Sequence, residues 1–372
     1  MKKIAIIGAG ISGLFFANLL KKNSGYNFTI FEKKSSIDLE DGYGLQLSVN
    51  SIKLLNQIGF STIDKKQIYH PKKINFINAK DNKKICDLDI SKFNYDNNQY
   101  TTIKRSTLLK FLLKNISTDK IKFNTQLTKL TYGKMLNLYF NESFLEDFDY
   151  MIVSDGVFSK TKSIILKRDT KPSYFHSLAL RGNIDDYENE DISIYFGPSF
   201  HFVIYPLNQN KEFNFISVFK KKLLDKKLYS DEFFLQKMTQ ELQKNTSLKL
   251  ANKLINLKSF PIYITKKFEF LENKNIFFVG DALLAIPPSL AQGASQSIES
   301  SQELFDQIQN KDHNYYKKRI KKLNSVNWRS KLNYHSFHLS NSMFCLIRNY
   351  ILKLLVKNNK FLDFYLGKIY RD

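Results

Sequence analysis

A glycine-rich turn between an apolar strand and a helix constrains this chain more than any other feature. The first strand runs directly into Gly8-x-Gly10-x-x-Gly13, and a second apolar strand ends in Glu32 about 20 residues later. In this order of elements, the first glycine allows a tight turn, the second lets the backbone approach a pyrophosphate, and the third brings the helix close to the strand. Glu32 is placed to accept hydrogen bonds from the adenosine ribose hydroxyls. The motif predicts a dinucleotide site and leaves open NAD or the ADP half of FAD.

Composition excludes several other classes of protein. With 372 residues, 43% of them hydrophobic and 14% aromatic, the chain is not disordered and should fold as about two domains. Its two cysteines, Cys86 and Cys345, are far apart and have no neighbouring histidines. We therefore expect neither a disulfide nor a metal site. We expect the protein to be located in a reducing compartment.

The net charge of +22 is not concentrated in one segment. Lysine is spread along the whole chain beside abundant Asn, Ile, Phe and Tyr, so we interpret the charge as a compositional bias and expect no nucleic-acid partner. Met1 leads almost directly into the first strand, and no uncharged apolar stretch approaches the roughly 18–20 residues of a spanning helix. We expect a cytoplasmic protein, at most peripheral at the inner face of the membrane.

The distribution of apolar residues predicts an α/β fold. Two further buried strands, at 150–153 and 275–279, each end in a Gly- and Asp-containing turn, whereas residues 175–265 mostly alternate between apolar and polar. We predict a discontinuous Rossmann-like cofactor domain, an inserted antiparallel β-sheet substrate domain and a C-terminal helical segment. The cofactor domain is predicted to comprise 1–70, 101–170 and 266–325. The substrate domain comprises 71–100 and 171–265, and the C-terminal helical segment comprises 326–372.

Three ordered motifs carry a resemblance to a known family. They are GAGISG with Glu32, the segment SDGVFSKTK at 154–162, and Gly280-Asp281-Ala282 followed by PPSLAQGASQSIE at 287–299. Together they resemble the class A FAD-dependent monooxygenases, or aromatic hydroxylases, of the para-hydroxybenzoate hydroxylase fold. The amino-acid sequence of the third motif is most similar to that of the salicylate hydroxylase branch.

This resemblance implies a Rossmann-like FAD-binding domain, with NADH or NADPH as a transient co-substrate. The implied enzyme uses O2 to hydroxylate a small aromatic or other electron-rich molecule through a flavin C4a-hydroperoxide. Asp281 is expected to bind the ribityl hydroxyls, and the helix start near Gly293 to face the flavin N1–C2=O edge. The predicted cofactor-binding residues are Gly8, Gly10, Ser12, Gly13, Glu32, Arg105, Asp155, Gly156, Gly280, Asp281, Pro288, Ala291, Gln292 and Gly293.

Three positions depart from the family pattern. Leu284 stands where many relatives have histidine, Lys162 where an arginine is common, and Ser300 where an aspartate is frequent. Lys162 keeps the charge but loses bidentate pairing.

Residues that bind the substrate have a weaker signal. His201 and Tyr205 lie four positions apart on a predicted strand and therefore share a face, and Arg181 begins a neighbouring segment. A phenol-activating base or a carboxylate-binding arginine is expected among these three, and the alternative is that the two strand residues are ordinary polar tips in a sheet. We interpret His335 and His338 as structural or surface residues.

Two alternative functions stay open. A basic amphipathic stretch near the C-terminus is also compatible with a hydroxylase that acts on a prenylated quinone precursor at the membrane surface. A non-hydroxylating FAD-dependent oxidoreductase is the other. A flavin-dependent halogenase is disfavoured because Trp328 is the only tryptophan and the Trp-x-Trp signature of that family is absent. The oligomeric state is left open.

Overall fold

The secondary structure begins with the strand, helix and strand that the glycine pattern predicts. The computed structural model describes residues 1–40, 43–141, 144–222, 225, 229, 231–250, 252–270, 275–310 and 314–371. The strands, numbered along the chain, are β1 (Lys2–Ile7), β2 (Tyr26–Phe31), β3 (Gly44–Leu47), β4 (Ile68–Tyr69), β5 (Lys73–Asn78), β6 (Lys84–Asp89), β7 (Thr101–Lys104), β8 (Ile121–Lys122), β9 (Leu127–Tyr132), β10 (Leu136–Phe140), β11 (Phe144–Phe148), β12 (Tyr150–Val153), β13 (Ser173–Ile184), β14 (Ile192–Gly197), β15 (Phe200–Pro206), β16 (Phe213–Lys220), β17 (Leu254–Ile264) and β18 (Ile276–Phe278). The helices are α1 (Ile11–Lys21), α2 (Val49–Gln57), α3 (Arg105–Lys114), α4 (Lys160–Leu166), α5 (Glu232–Lys244), α6 (Gly293–Asn310), α7 (Tyr315–Phe337), α8 (Ser342–Leu355), α9 (Asn359–Leu362) and α10 (Lys368–Tyr370).

A five-stranded parallel sheet forms the core of the first half. Its strand order is β18-β12-β1-β2-β8, so the three strands that carry the motifs are neighbours. Four successive residues of β1, Ile4 to Ile7, are buried, as is typical of a parallel strand that is covered on both faces. Helix α1 packs on α6, where the rings of Phe16 and Phe305 meet edge to face at 6.3 Å. This sheet confirms the Rossmann-like part of the predicted fold class.

A seven-stranded sheet of order β17-β13-β16-β15-β14-β5-β6 forms the second layer. All its pairs are antiparallel except β14 with β5, which run parallel with Ile192 opposite Ile74. The exception has a topological reason, because these two strands come from separate insertions and no hairpin connects them. Apart from this pair, the strands form the antiparallel sheet of the predicted fold class.

The two layers meet at Gly44, the first residue of β3. A Cβ at this position would lie 2.5 Å from Leu207 Cδ2 and 2.7 Å from Tyr205 Oη. The Gly44 N–H donates to Asn214 Oδ1 at 2.6 Å, and Thr102 Oγ1 donates to the carbonyl of Pro206 at 2.5 Å. A strand of the cofactor half is therefore fastened directly to the seven-stranded sheet.

The C-terminal helices return to both layers. Helix α7 is joined to α6 by the fully buried Arg319, whose Nη1 lies 3.3 Å from Glu299 Oε1 and 3.0 Å from Glu303 Oε1. Helix α8 then crosses near β6, and none of its residues is buried. Within the described residues, no helix combines the length and apolarity needed to cross a membrane.

We expect Gly44→Ala to lower the free energy of unfolding by about 1–3 kcal/mol, because the added methyl group has no space between the two layers. Gly25→Ala is the matched control, since its Cβ would meet only a side-chain oxygen at 3.2 Å. Urea denaturation of both variants measures the difference. Equal stability of the two variants would contradict the tight junction at Gly44.

Candidate active site

The first glycine turn is built by close backbone packing. Gly8 has φ +105°, and a Cβ there would lie 2.8 Å from the carbonyl oxygen of Ser154. A Cβ at Gly13 would lie 2.2 Å from the carbonyl oxygen of Gly8. At Gly10, by contrast, nothing lies within 4 Å of the Cβ position. Two glycines thus join backbone to backbone, and the third leaves open the space that the motif assigns to a pyrophosphate.

Glu32 lies directly beside this turn. Its Oε2 accepts a hydrogen bond from the Ala9 N–H at 2.9 Å, and its Oε1 accepts from the Lys34 N–H at 3.0 Å. Each carboxylate oxygen retains a second lone pair. The carboxylate is therefore fixed in orientation and can still accept from ribose hydroxyls.

The second motif packs against the first. Ser154 Oγ lies 2.9 Å from the Ile7 carbonyl and 3.0 Å from the Gly8 carbonyl, to which it donates. Asp155 Oδ2 accepts from the Thr161 N–H at 3.3 Å, whereas its buried Oδ1 has no hydrogen-bond partner among the described residues. Burial raises the pKa of Asp155. Next to it, Gly156 has φ +80° and open space at its Cβ position.

The third motif also reaches the first turn. Gly280 has φ +58°, and a Cβ there would lie 2.7 Å from Ser12 Oγ. The Gly280 N–H donates to Ser300 Oγ at 3.0 Å. Ser300, which departs from the family pattern, therefore still supports this turn.

Asp281 follows the end of β18 and lines a cavity. Its carboxylate forms no hydrogen bond with any residue that the structure describes. Protein surrounds the group, and this burial raises the pKa of Asp281 to about 6, although solvent reaches the carboxylate through the cavity. The residue is placed to accept hydrogen bonds from a polar ligand in that cavity.

The turn before α6 completes this side of the cavity. Pro288–Leu290 form one 3-10 turn, Ala291 has φ +52°, and Gly293 begins the helix. Gln292 is buried, and its Nε2 has no hydrogen-bond partner among the described atoms. The first N–H groups of a helix lack partners within it, so this end favours negative charge.

Lys162 and Leu284, the two other residues that depart from the family pattern, lie near these motifs, as does Arg105. Lys162 is buried, which lowers its pKa, and its ammonium lies 5.7 Å from the centre of the Phe278 ring. Leu284 is buried near Asp281. Arg105 begins α3, where its N–H donates to the Tyr43 carbonyl at 2.8 Å. No side-chain contact joins Arg105 to the three motifs in the described part of the chain, so its cofactor role stays a prediction.

A cavity of about 930 Å³ extends from this turn to the seven-stranded sheet. Asp281, Pro288, Ala291 and Gly293 line one end, while Glu32 and Asp155 lie outside it at the glycine turn. The three predicted substrate residues, Arg181, His201 and Tyr205, all line the cavity.

Strand register explains why these three side chains share one face. Arg181 on β13 is opposite Ile216 on β16, which in turn is opposite Val203 on β15. Residues opposite one another in antiparallel strands point to the same face, and so do residues two apart along a strand. His201 and Tyr205 flank Val203 by two positions, so they lie on the face of Arg181. Burial raises the pKa of Tyr205, and the nearby Arg181 opposes this rise.

Two cavity residues, Gln46 and Asn214, had no interpretation from sequence. Gln46 accepts a hydrogen bond from Tyr100 Oη at 2.9 Å, and Asn214 holds β3 as described above. His338, interpreted as a structural or surface residue, is buried against His201, which agrees with the structural alternative and not with the surface one. The alternation of β16 could have indicated Asn214, but nothing local relates residue 338 to residue 201.

The arrangement fits a flavin dinucleotide. Asp155 Oδ1 and Gln292 Nε2 are buried without partners among described residues, the Asp281 carboxylate lines the cavity, and Gly10, Gly156 and Gly293 leave space at their Cβ positions. A parallel sheet with these motifs at its strand ends, joined to a sheet that walls a cavity, defines an FAD-dependent monooxygenase. The chain belongs to the FAD binding domain family, which it matches over residues 1–310. FAD is its cofactor. The family match over residues 1–310 confirms the resemblance to the class A hydroxylases.

Comparison with known proteins agrees with this assignment. The chain is similar to a 3-amino-4-hydroxybenzoate 2-monooxygenase of Streptomyces platensis, with 21% identity over 355 residues that cover 91% of this chain and 89% of the relative. Its fold resembles Klebsiella pneumoniae HpxO complexed with FAD and uric acid, with a TM-score of 0.84, 15% identity, and coverage of 98% and 97%. It also resembles a salicylate hydroxylase substrate complex, with a TM-score of 0.78, 16% identity, and coverage of 100% and 95%.

We expect Asp281→Asn to weaken FAD binding about tenfold while it stabilises the protein without FAD at pH 7.5. The folded-state pKa is raised from 3.8 to about 6, so the contribution of Asp281 to stability is present below pH 3.8 and is lost as the pH rises through 6. The gain in the variant is of the order of 1 kcal/mol after solvent screening.

Thermal unfolding with and without FAD at pH 5 and 7.5 tests this expectation, with Asp185→Asn at an exposed position as the control. A variant that binds FAD as tightly as the original chain would contradict the role of Asp281.

Proposed function

We propose that this monooxygenase hydroxylates a small aromatic molecule that carries an ionisable oxygen, with NADH or NADPH as electron donor. The single observation that carries the proposal is the continuous cavity between the third cofactor motif, at Asp281 and 288–293, and the face that presents Arg181, His201 and Tyr205. The named aromatic substrates of the relatives and structural neighbours support it, and they include hydroxybenzoate derivatives, salicylate and uric acid.

Each group in the cavity has a distinct task in this proposal. Bound FAD supplies the electron transfer and oxygen activation. Asp281 anchors the cofactor, and the start of α6 at Gly293 stabilises negative charge at its edge. Arg181 pairs with an anionic oxygen of the substrate, and Tyr205 donates a hydrogen bond from its phenol, which stays protonated because burial raises its pKa.

The apolar part of the cavity wall excludes water from the reacting atoms. It includes Ile194, Val203, Ile216 and Val218 from the sheet and Phe337 from α7. A dry site strengthens the polar interactions within it and limits unproductive reaction with water.

A panel of aromatic acids and phenols tests the proposal through NADH and NADPH consumption and product mass. We expect at least one compound to accelerate consumption and to gain one oxygen atom. Arg181→Met should raise the KM for an aromatic acid about tenfold with FAD content unchanged. Arg168→Met is the control, because that arginine is 61% exposed and pairs with Glu269 outside the cavity. Release of peroxide alone with every compound would instead favour the non-hydroxylating oxidoreductase.

A second candidate is a hydroxylase that acts on a prenylated quinone precursor at an anionic membrane. Helix α8 favours it, because its two apolar stripes face different environments. Phe344, Ile347 and Ile351 line the cavity and are 52%, 46% and 46% exposed, whereas Met343, Leu346 and Tyr350 lie outside it and are 58%, 69% and 66% exposed. The sequence from 314 to 362 contains no Asp or Glu while Lys and Arg recur in it, so the surface suits anionic lipid.

Co-sedimentation with phosphatidylglycerol and phosphatidylcholine vesicles tests this second candidate. We expect binding to the anionic vesicles alone, loss of most binding in Leu346→Ser/Tyr350→Ser, and full binding in Phe233→Ser. Phe233 is the matched control because it is 75% exposed on α5. Unchanged vesicle binding in the double variant would reject this stripe as the membrane-binding surface. Dimerisation through the stripe in sedimentation velocity, without vesicle binding, would reject it as well.

A further inference from the structure

Two buried histidines from distant parts of the chain meet at the cavity wall. His201 is on β15, and His338 directly follows α7. Nδ1 of His201 lies 2.9 Å from Nε2 of His338, which also lies 3.1 Å from the carbonyl oxygen of Val218. The side chains are 3% and 2% exposed. Of the two, His201 lines the cavity.

The Val218 carbonyl determines which nitrogens carry protons. A carbonyl oxygen can only accept, so Nε2 of His338 must be the donor in the 3.1 Å contact. A protonated Nε2 has no lone pair with which to accept, so Nδ1 of His201 cannot donate to it; Nδ1 is unprotonated and shares the one N–H of His338 with the carbonyl. In a neutral imidazole the other nitrogen carries the proton. His201 thus holds its proton on Nε2, which has no hydrogen-bond partner among the described residues.

The surroundings keep both rings neutral. The rings of Phe337 and Tyr334 pack against His201 and His338, with centroids 5.2 Å and 4.2 Å away. Burial, against the opposing hydrogen bond to the Val218 carbonyl and with the help of the nearby Lys220 and His335, lowers the pKa of His338 to about 4. Burial and His338 hold the pKa of His201 well below its usual value. No carboxylate contributes to these shifts, so neither ring is an imidazolium near pH 7.

We propose that His338 is a positioning residue that fixes His201 as an Nε2–H donor to an oxygen of the substrate. His201 in this form does not act as a base, because its one unprotonated nitrogen is occupied by His338. The group it recognises is an acceptor oxygen: a carboxylate, a phenolate or a carbonyl. Arg181 on the same face complements the negative charge of the first two. This inference rests on the proposed function for the identity of the ligand. The tautomer of His201, by contrast, is a property of the protein alone.

Nitrogen-15 NMR of histidine side chains in the FAD-loaded protein measures that tautomer directly. We expect His201 to show a protonated Nε2 and an unprotonated Nδ1 from pH 6 to 8. A proton on Nδ1 of His201, or an imidazolium in this range, would overturn the proposal. This result depends on no substrate, so it separates the proposal from the proposed function.

Two substitutions of His338 distinguish positioning from simple packing. The amide N–H of His338→Gln can reach the place of Nε2 and should keep the tautomer, whereas His338→Leu has no donor and should leave His201 in mixed tautomers. Circular dichroism checks that both variants fold. If His338→Leu is unfolded, the glutamine variant and the wild-type spectrum still decide the assignment.

Binding of salicylate to the FAD-loaded protein, followed by the flavin absorbance, measures the consequence for recognition. We expect His338→Leu to raise the Kd about tenfold and His338→Gln to keep it within about twofold of wild type. Equal Kd values in all three proteins would reject the role of His338. Failure of wild type to bind any aromatic acid would count against the proposed function and against the donor role, while the NMR result would still decide the tautomer.

Discussion

Three separate stretches of the chain approach one another closely at glycines, where an added methyl group would meet backbone atoms or a serine hydroxyl. The carbonyl oxygen of Gly8 occupies the position next to Gly13, Ser154 lies against Gly8, and Ser12 lies against Gly280. These contacts align the ends of β1, β12 and β18, and thereby place Asp155, which follows β12, and Asp281, which follows β18, on the side of the glycine turn that follows β1. The position of the cavity, and of every group that lines its cofactor end, depends on this alignment.

The same region leaves polar groups without partners from the protein itself. Asp155 Oδ1 and Gln292 Nε2 are buried and unpaired among the described residues, and a buried unpaired polar group costs about 1–3 kcal/mol. A sequence selected only for stability would not keep them. They are consistent with a fold that reaches its full stability when a polar ligand is bound.

Much of this site could be predicted from the sequence because its signals are local. The glycine pattern, Glu32 and the Gly280-Asp281 turn each depend on residues close in the chain, and their strands read as apolar runs. The parallel pairing of β5 with β14 could not be predicted, since it joins two insertions far apart in sequence. The contact between His201 and His338 has the same origin, because 137 positions separate them. Which residues bind FAD, Arg105 included, and which residues touch the substrate stay predictions.

The fully buried Arg319 connects α7, in the C-terminal part of the chain, to α6, which begins at the cofactor turn. It lies beyond residue 310, where the match to the family ends, yet it forms ion pairs with Glu299 and Glu303 on α6, the helix that starts at the cofactor turn. Removal of one member of a buried ion pair leaves an uncompensated charge in the interior. The helix that starts at the cofactor turn therefore depends on a residue of the C-terminal segment to compensate its buried carboxylates.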